Sequence, residues 1–157
     1  QAGIPCWTYF AGAPRGRYLN RLPDTPLVKV RMSGWLFYRT QVHGFLYWGY
    51  NYWYHRATRT LIDPFTVLDA GVWPEWTCGG PFLVYPGPDG PIDSIRWEVF
   101  AESLQDYALL QAASIDPDDN MLAAIVNYEE FPRDAEWILS HRSKLLSYLD
   151  QLNPVAP

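Results

Sequence analysis

The sequence predicts an α/β fold, and three observations support this prediction. Residues 44–50 (GFLYWGY) and 81–87 (PFLVYPG) are near-continuous apolar runs, which are typical of strands covered on both faces, as in parallel sheets. A segment with helical spacing, residues 27–42, precedes the first of these runs. A shorter apolar run at 4–10 comes earlier, so strands and helices alternate along the chain. This order implies right-handed parallel crossovers between about three strands.

The helical segments are predicted from their apolar spacing and their first residues. In the 27–42 helix the spaced positions include Val30, Gly34 and Trp35, and Asp24-Thr25-Pro26 forms a plausible cap and first turn. Residues 93–113 form an amphipathic pattern with Asp93 as the expected cap. Two more helices are predicted, near 118–130 and 133–152. Residues 51–80 remain as a long irregular stretch, which is usually functional in a compact domain.

Composition excludes several classes of function. The chain of 157 residues has a net charge of −5 and no basic stripe, which argues against nucleic acid and anionic membranes as partners. No apolar run approaches the ~20 residues of a membrane span. The three histidines lack metal-ligand spacing and no glycine-rich phosphate loop occurs, so we expect neither a metal nor a cofactor. Pairing of Cys6 with Cys78 is left open, and two free thiols are favoured.

An ordered series of motifs points to a family. The segments GFLYWGYNYW, DPF, FLVYPG and SIRWEVFAESLQDY together resemble the C-terminal part of the catalytic domain of glycoside hydrolase family 123. These bacterial enzymes act on β-linked N-acetylgalactosamine. The positions that carry the resemblance are Arg31, Trp35, Gly44 to Trp48, Asn51, Trp53, Asp63, Pro64, Gly80, Tyr85, Pro86, Gly87, Ser94, Arg96, Asp106 and Tyr107.

The resemblance implies a particular architecture. The family fold is a (β/α)₈ barrel of the TIM type, and this chain would supply about its last three strands, followed by C-terminal helices. Residues 1–115 would be the barrel portion and residues 116–157 a helical extension. Because a whole barrel needs ~250 residues, we expect the remainder of the barrel to come from an upstream segment or a second chain. The sequence assigns no location, although an extracellular or periplasmic one is favoured for the parent protein.

The resemblance also implies the reaction, which is substrate-assisted hydrolysis of β-N-acetylhexosaminides by an adjacent Asp-Glu pair at the end of an earlier strand. None of the predicted strands ends in Asp-Glu, so we expect that pair upstream and no catalytic residue in this chain. Asp63 and Asp69 are the acids nearest the inferred cleft, and Asp63 in a DP pair is typical of a turn. We expect Asp118-Asp119 to cap a helix and Glu129-Glu130 to be solvated.

Aromatic residues at the ends of the predicted strands are the candidate sugar-binding groups. In a barrel the C-terminal ends of strands face the active site, and ring faces with a nearby amide suit the apolar faces and hydroxyls of a sugar. The alternative is that these rings pack beneath the 51–80 stretch. The predicted substrate-binding residues are Trp48, Asn51, Tyr50, Trp53, Trp7, Tyr9 and Tyr85.

A second function remains open, namely a non-catalytic carbohydrate-binding or structural module derived from the same barrel. The TCGG turn lacks the acid that the family usually carries, and AESLQDY lacks an Arg, a Gly and an acid of the family pattern. These departures favour the module, whereas the retained strand motifs favour the enzyme. Arg31, Arg96 and Asp106 are interpreted as structural ion-pair or carbonyl-binding residues.

Overall fold

The computed structural model describes residues 3–55, 58–67 and 79–152. Its elements show a mixed α/β protein with two small sheets. In chain order they are β1 (Trp7–Tyr9), α1 (Leu27–Arg31), α2 (Ser33–Arg39), β2 (Gly44–Leu46), β3 (Val84–Gly87), β4 (Gly90–Asp93), α3 (Ile95–Ala112), a 3₁₀ turn (Asn120–Leu122) and α4 (Ala135–Leu152). None of the helices in these ranges is long and apolar enough to cross a membrane.

The first two strands confirm the predicted parallel crossover. β1 and β2 pair in parallel, with Thr8 opposite Phe45 and Tyr9 opposite Leu46, and α1 and α2 form the connection. Phe45 faces these helices, since its ring centroid lies 5.2 Å from that of Phe37. On the other face Trp7, Tyr9 and Leu46 are 65%, 54% and 55% exposed. One face of this sheet is therefore covered and the other is open.

The third predicted strand is not parallel to the first two, and this part of the prediction is wrong. Residues of the 81–87 run form β3, which pairs antiparallel with β4 across a tight turn. Gly90 has a φ of +145° there, a conformation that glycine adopts without a steric penalty. Just before β3, Phe82 forms an antiparallel bridge with Asn51. The three-stranded parallel sheet expected from the sequence is thus not formed by the described residues.

The predicted helices near 27–42 and 93–113 are present with changed ends. The first is interrupted at Met32 and stops at Arg39, and the residue before it is Pro26 with no side-chain cap. α3 is capped by Ser94, not by the predicted Asp93, because the Ser94 hydroxyl accepts a hydrogen bond from the Trp97 N–H at 3.2 Å. α1 and α2 pack against α3 over the same core.

The helix predicted near 118–130 is wrong, whereas the last helix is confirmed. Only a 3₁₀ turn forms in the earlier segment, because short polar side chains bind nearby N–H groups instead. Asp119 accepts from the Met121 N–H at 2.7 Å, and Asn127 accepts from the Glu129 N–H at 2.8 Å. α4 contributes Ile138 and Leu145 to the core. The division at residue 115 stays a prediction, although both sides of it share this core.

A buried carboxylate ties the helices together. Asp106 on α3 is fully buried and accepts a hydrogen bond from the Trp35 indole N–H at 2.9 Å. It also pairs with Arg31 at 2.9 Å and with Arg142 of α4. The structural interpretation of Arg31 and Asp106 is therefore confirmed.

Candidate functional site

Three of the predicted sugar-binding residues line one groove. Tyr50, Asn51 and Trp53 form one wall of a groove of about 320 Å³, and the β3–β4 hairpin forms the other. The hairpin wall consists of Val84, Pro86, Gly87, Gly90 and Pro91. We call this the hairpin groove. Two aromatic rings, an amide and several proline and glycine surfaces thus meet in one concave site.

The segment that carries these residues is fixed by backbone contacts. The Leu83 N–H donates to the Tyr50 carbonyl at 2.7 Å, and the Tyr52 N–H donates to the Pro81 carbonyl at 3.2 Å. A Cβ on Gly49 would lie 2.4 Å from the Pro81 carbonyl oxygen, so glycine is required for this approach. The Trp53 indole N–H donates to the Val84 carbonyl at 2.9 Å, which fixes the ring against the hairpin. The groove wall is consequently held in place at several points.

Three aromatic rings of the 48–54 segment contact one another in a row. The centroids of Trp48 and Tyr52 are 5.6 Å apart, and those of Tyr52 and Tyr54 are 5.8 Å apart. Tyr52 and Tyr54 line a second groove of about 500 Å³ with Thr58, Arg59 and Leu61. We call this the arginine groove. Odd-numbered residues of the 51–54 segment thus line one groove and even-numbered residues the other.

The remaining predicted residues lie elsewhere. Trp7 and Tyr9 are on the open face of the β1–β2 sheet, and neither lines the hairpin groove. Tyr85 packs between Phe65 and Phe82, with ring centroids at 5.2 Å and 5.4 Å. The structure therefore brings together Tyr50, Asn51 and Trp53, has Trp48 in the adjacent row, and separates the other three.

Comparison with protein-family models identifies the family of this chain. A family model described as glycoside hydrolase 123, catalytic domain, matches residues 1–113, which is most of the chain and includes both grooves. The chain belongs to glycoside hydrolase family 123. No curated protein was found to match it. Membership of a glycoside hydrolase family implies a carbohydrate substrate.

The buried Arg96 holds the segment that leads into the wall of the hairpin groove. Arg96 donates to three backbone carbonyls, those of Arg21, Gly79 and Phe82, at 3.2, 3.3 and 3.1 Å. Phe82 directly precedes the β3 segment that forms the groove wall. The interpretation of Arg96 as a carbonyl donor is confirmed. Burial is the main cause that lowers its pKa from the ordinary arginine value.

Arg21 is held by aromatic rings instead of a carboxylate. Its guanidinium lies 3.9 Å from the ring centroid of Tyr47 and 4.5 Å from that of Phe100. Burial lowers the pKa of Arg21 to about 10, so the group stays cationic at neutral pH. Burial likewise raises the pKa of Tyr47, whose hydroxyl donates to the Gly80 carbonyl at 3.1 Å. Tyr47 and Arg96 together anchor residues 79–82 behind the groove.

The described acids among those singled out from the sequence do not line the two grooves. Asp63 forms a local turn, accepting from the Phe65 N–H at 3.0 Å and from the Thr66 hydroxyl at 3.1 Å. The turn interpretation of Asp63 is confirmed, whereas Asp69 lies outside the described residues. Asp118 pairs with Arg39, and Glu129 lies 3.4 Å from Arg17. None of these described carboxylates lines either groove.

Sequence reasoning missed several groove residues. Tyr52, Tyr54 and Arg59 were not predicted, because their placement depends on the pairing of residues 53–55 with residues 60–62. The YNYWY segment gave no clear signal, because four of its five residues are aromatic and Tyr50 lines the same groove as its neighbour Asn51. The possible Cys6–Cys78 pair stays open, since Cys78 lies outside the described residues. Among the described residues no group of three or more acidic, histidine or cysteine side chains could hold a metal ion.

Proposed function

We propose that this chain forms a sugar-binding part of a family 123 hydrolase that acts on β-linked N-acetylhexosaminides, with N-acetylgalactosamine as the preferred unit. The observation that carries the proposal is the meeting of Tyr50, Asn51 and Trp53 in one groove within the family-matched residues. An aromatic ring suits the apolar face of a pyranose, and an amide suits its hydroxyls. The Asn51 side chain forms no hydrogen bond with the described residues, so its amide is available to a ligand.

We propose further that the chain works as the end of a barrel completed by an upstream segment or a second chain. Parallel sheets are almost always covered on both faces, yet the face with Trp7, Tyr9 and Leu46 is open. The added part would cover this face and supply the adjacent Asp-Glu pair for substrate-assisted hydrolysis. In that arrangement Trp7 and Tyr9 would be interior residues beside the site, and Trp48 would extend the sugar platform.

The first test concerns catalysis. The 157-residue chain alone should not hydrolyse an aryl β-N-acetylgalactosaminide above the buffer rate, because no described carboxylate lines the hairpin groove or the arginine groove. Release of the aryl alcohol is followed spectrophotometrically, with a complete family 123 enzyme as positive control. Turnover that disappears in Asp63→Asn would contradict the proposal and make Asp63 catalytic.

A non-catalytic module remains the second candidate, and the departures of TCGG and AESLQDY from the family pattern favour it. The two candidates differ in what the added part of the barrel does. If the chain joined to that part binds N-acetylgalactosamine but shows no turnover, the module is correct. Measurable turnover that is lost when the upstream Asp or Glu is replaced supports the enzyme.

The second test concerns the aromatic row. Trp48→Ala should weaken binding of a β-N-acetylgalactosaminide by about 1–3 kcal/mol, the scale of a large apolar contact. Asn51→Ala should cost up to about 1–3 kcal/mol if its amide bonds a buried sugar hydroxyl, and less otherwise. Tyr148→Ala, which removes an exposed ring on α4, is the matched control and should leave affinity unchanged.

The same variants also separate binding from folding. Trp48 is 37% exposed, so its truncation should leave most of the stability intact. If Trp48→Ala instead loses the roughly 3–5 kcal/mol expected for a core aromatic, while the folded fraction binds normally, Trp48 is a core residue and not a platform. Affinity by calorimetry and unfolding by denaturant are measured on one preparation.

A further inference from the structure

We infer that the arginine groove is a second subsite that takes an acidic sugar unit, one carrying a carboxylate or a sulfate. This inference rests on the proposed function, because it assigns the neighbouring unit of the same glycan. The groove combines two tyrosine rings, a threonine hydroxyl and one guanidinium: Tyr52, Tyr54, Thr58 and Arg59. The two rings are a platform for a pyranose and the guanidinium is an anion partner, while the Thr58 hydroxyl already bonds the His55 carbonyl and the Thr60 N–H.

The guanidinium of Arg59 is available to a ligand. Arg59 is exposed and forms neither an ion pair nor a hydrogen bond with any described residue. The other exposed or half-buried arginines of the described ranges all have a polar partner. These partners are Gly12 for Arg15, Glu129 for Arg17, Asp106 for Arg31 and Arg142, Asp118 for Arg39, and a carbonyl for Arg133. Arg59 therefore differs from them in presenting a planar donor that no described residue engages, and such a donor matches the geometry of carboxylates and other oxyanions.

Pairing of residues 53–55 with residues 60–62 holds the residues of the arginine groove in place. The His55 N–H donates to the Thr60 carbonyl at 2.8 Å, and the Ile62 N–H donates to the Trp53 carbonyl at 2.9 Å. The Thr58 hydroxyl donates to the His55 carbonyl at 2.7 Å, next to Arg59. Tyr54 and Leu61 face each other across a backbone bridge and both line the groove. The cation and the rings are thus presented on one folded unit.

The position of the groove connects it to the hairpin groove. The two grooves share the 51–54 segment, because Asn51 and Trp53 line the hairpin groove and Tyr52 and Tyr54 line the arginine groove. A glycan with an N-acetylhexosamine in the hairpin groove would reach the arginine groove with an adjacent unit. The chain carries a net charge of −5, so a preference for an anionic unit cannot come from its overall charge and must be local.

The test compares three matched disaccharides at 0.15 M salt. Each has N-acetylgalactosamine β-linked to a second unit, which is glucose, glucuronic acid or glucose 6-sulfate, and binding to the full chain is followed by NMR titration. Both acidic disaccharides should bind about tenfold more tightly than the neutral one, the scale of one charge-assisted hydrogen bond. A preference for only one of them identifies carboxylate or sulfate as the anion.

Variants then assign the preference to its source. Arg59→Gln should remove the preference for acidic disaccharides and leave the neutral affinity unchanged. Arg17→Gln changes the net charge equally at a distant exposed site and should have no effect. Equal affinities for neutral and acidic disaccharides, or a preference that survives in Arg59→Gln, overturn the inference while leaving the proposed function standing. If none of the three binds, the proposed function fails and this inference fails with it.

Discussion

Asp106→Asn is expected to destabilise the protein by about 3–5 kcal/mol, the range for leaving buried charges without their partner. The Asp106 carboxylate is fully buried and compensates the cationic groups of Arg31 and Arg142, while also accepting from Trp35. The asparagine amide has one oxygen fewer and adds an N–H₂ among groups that are all donors. Arg142 would then lose this counter-charge, and Arg31 would keep only the exposed Glu102. For a protein of this size the melting temperature should fall by roughly 10 °C.

Glu102→Gln is the matched control for this prediction. Glu102 also pairs with Arg31, at 3.4 Å, but its side chain is 59% exposed. Exposed pairs contribute little, so the loss should stay below about 1 kcal/mol. Both variants are measured by chemical denaturation at neutral pH. Equal losses in the two variants would mean that burial is not what makes the Asp106 contacts important.

The first crossover could be predicted because its signals are local. The spacing of Val30, Gly34 and Trp35 indicated one helical face, and that face packs into the core as expected. The apolar run at 44–50 indicated a strand, and β2 forms at its start with one covered side. These features depend on periods of 3.6 and 2 residues, which a sequence displays directly.

The β3–β4 hairpin and the absence of a helix at 118–130 depend on interactions that the apolar periodicity of a sequence does not show. The run at 81–87 was interpreted as a further parallel strand, but the chain reverses after it and pairs Val84 with Asp93. In the 118–130 segment, polar side chains take the N–H groups that a helix would use. The environment of Arg21 could not be predicted either, because the rings around its guanidinium come from residues as distant in sequence as Tyr47 and Phe100.

The sequence predicted several residues of the candidate site but not how they are arranged. The aromatic run after β2 indicated a binding edge, and Tyr50, Asn51 and Trp53 do share a groove. The opposite wall was not anticipated, because it consists of the β3–β4 hairpin that sequence reasoning missed. Arg59 was missed for the same physical reason: its position beside the rings is set by the backbone bridge between Tyr54 and Leu61.

Gly34→Ala is expected to destabilise the protein by about 3 kcal/mol or more, despite the helix propensity of alanine. A Cβ at position 34 would lie 1.7 Å from the backbone carbonyl oxygen of Ser103, at the contact between α2 and α3. Alanine favours a helix interior over glycine by about 1 kcal/mol, but packed helices resist separation and overpacking costs about 1–3 kcal/mol or more. The steric term therefore outweighs the propensity term.

Two further variants identify the steric contact as the cause. Gly3→Ala makes the same chemical change where nothing lies within 4 Å and should leave stability unchanged. Ser103→Gly, added to Gly34→Ala, should not restore stability, because the clash is with the Ser103 backbone and not with its side chain. Rescue by the Ser103 change, or a more stable Gly34→Ala protein, would show that α2 and α3 are farther apart than this contact requires. Because α3 also carries Arg96 and its bonds to residues 79 and 82, a shift of α3 in Gly34→Ala should weaken glycan binding in the hairpin groove as well.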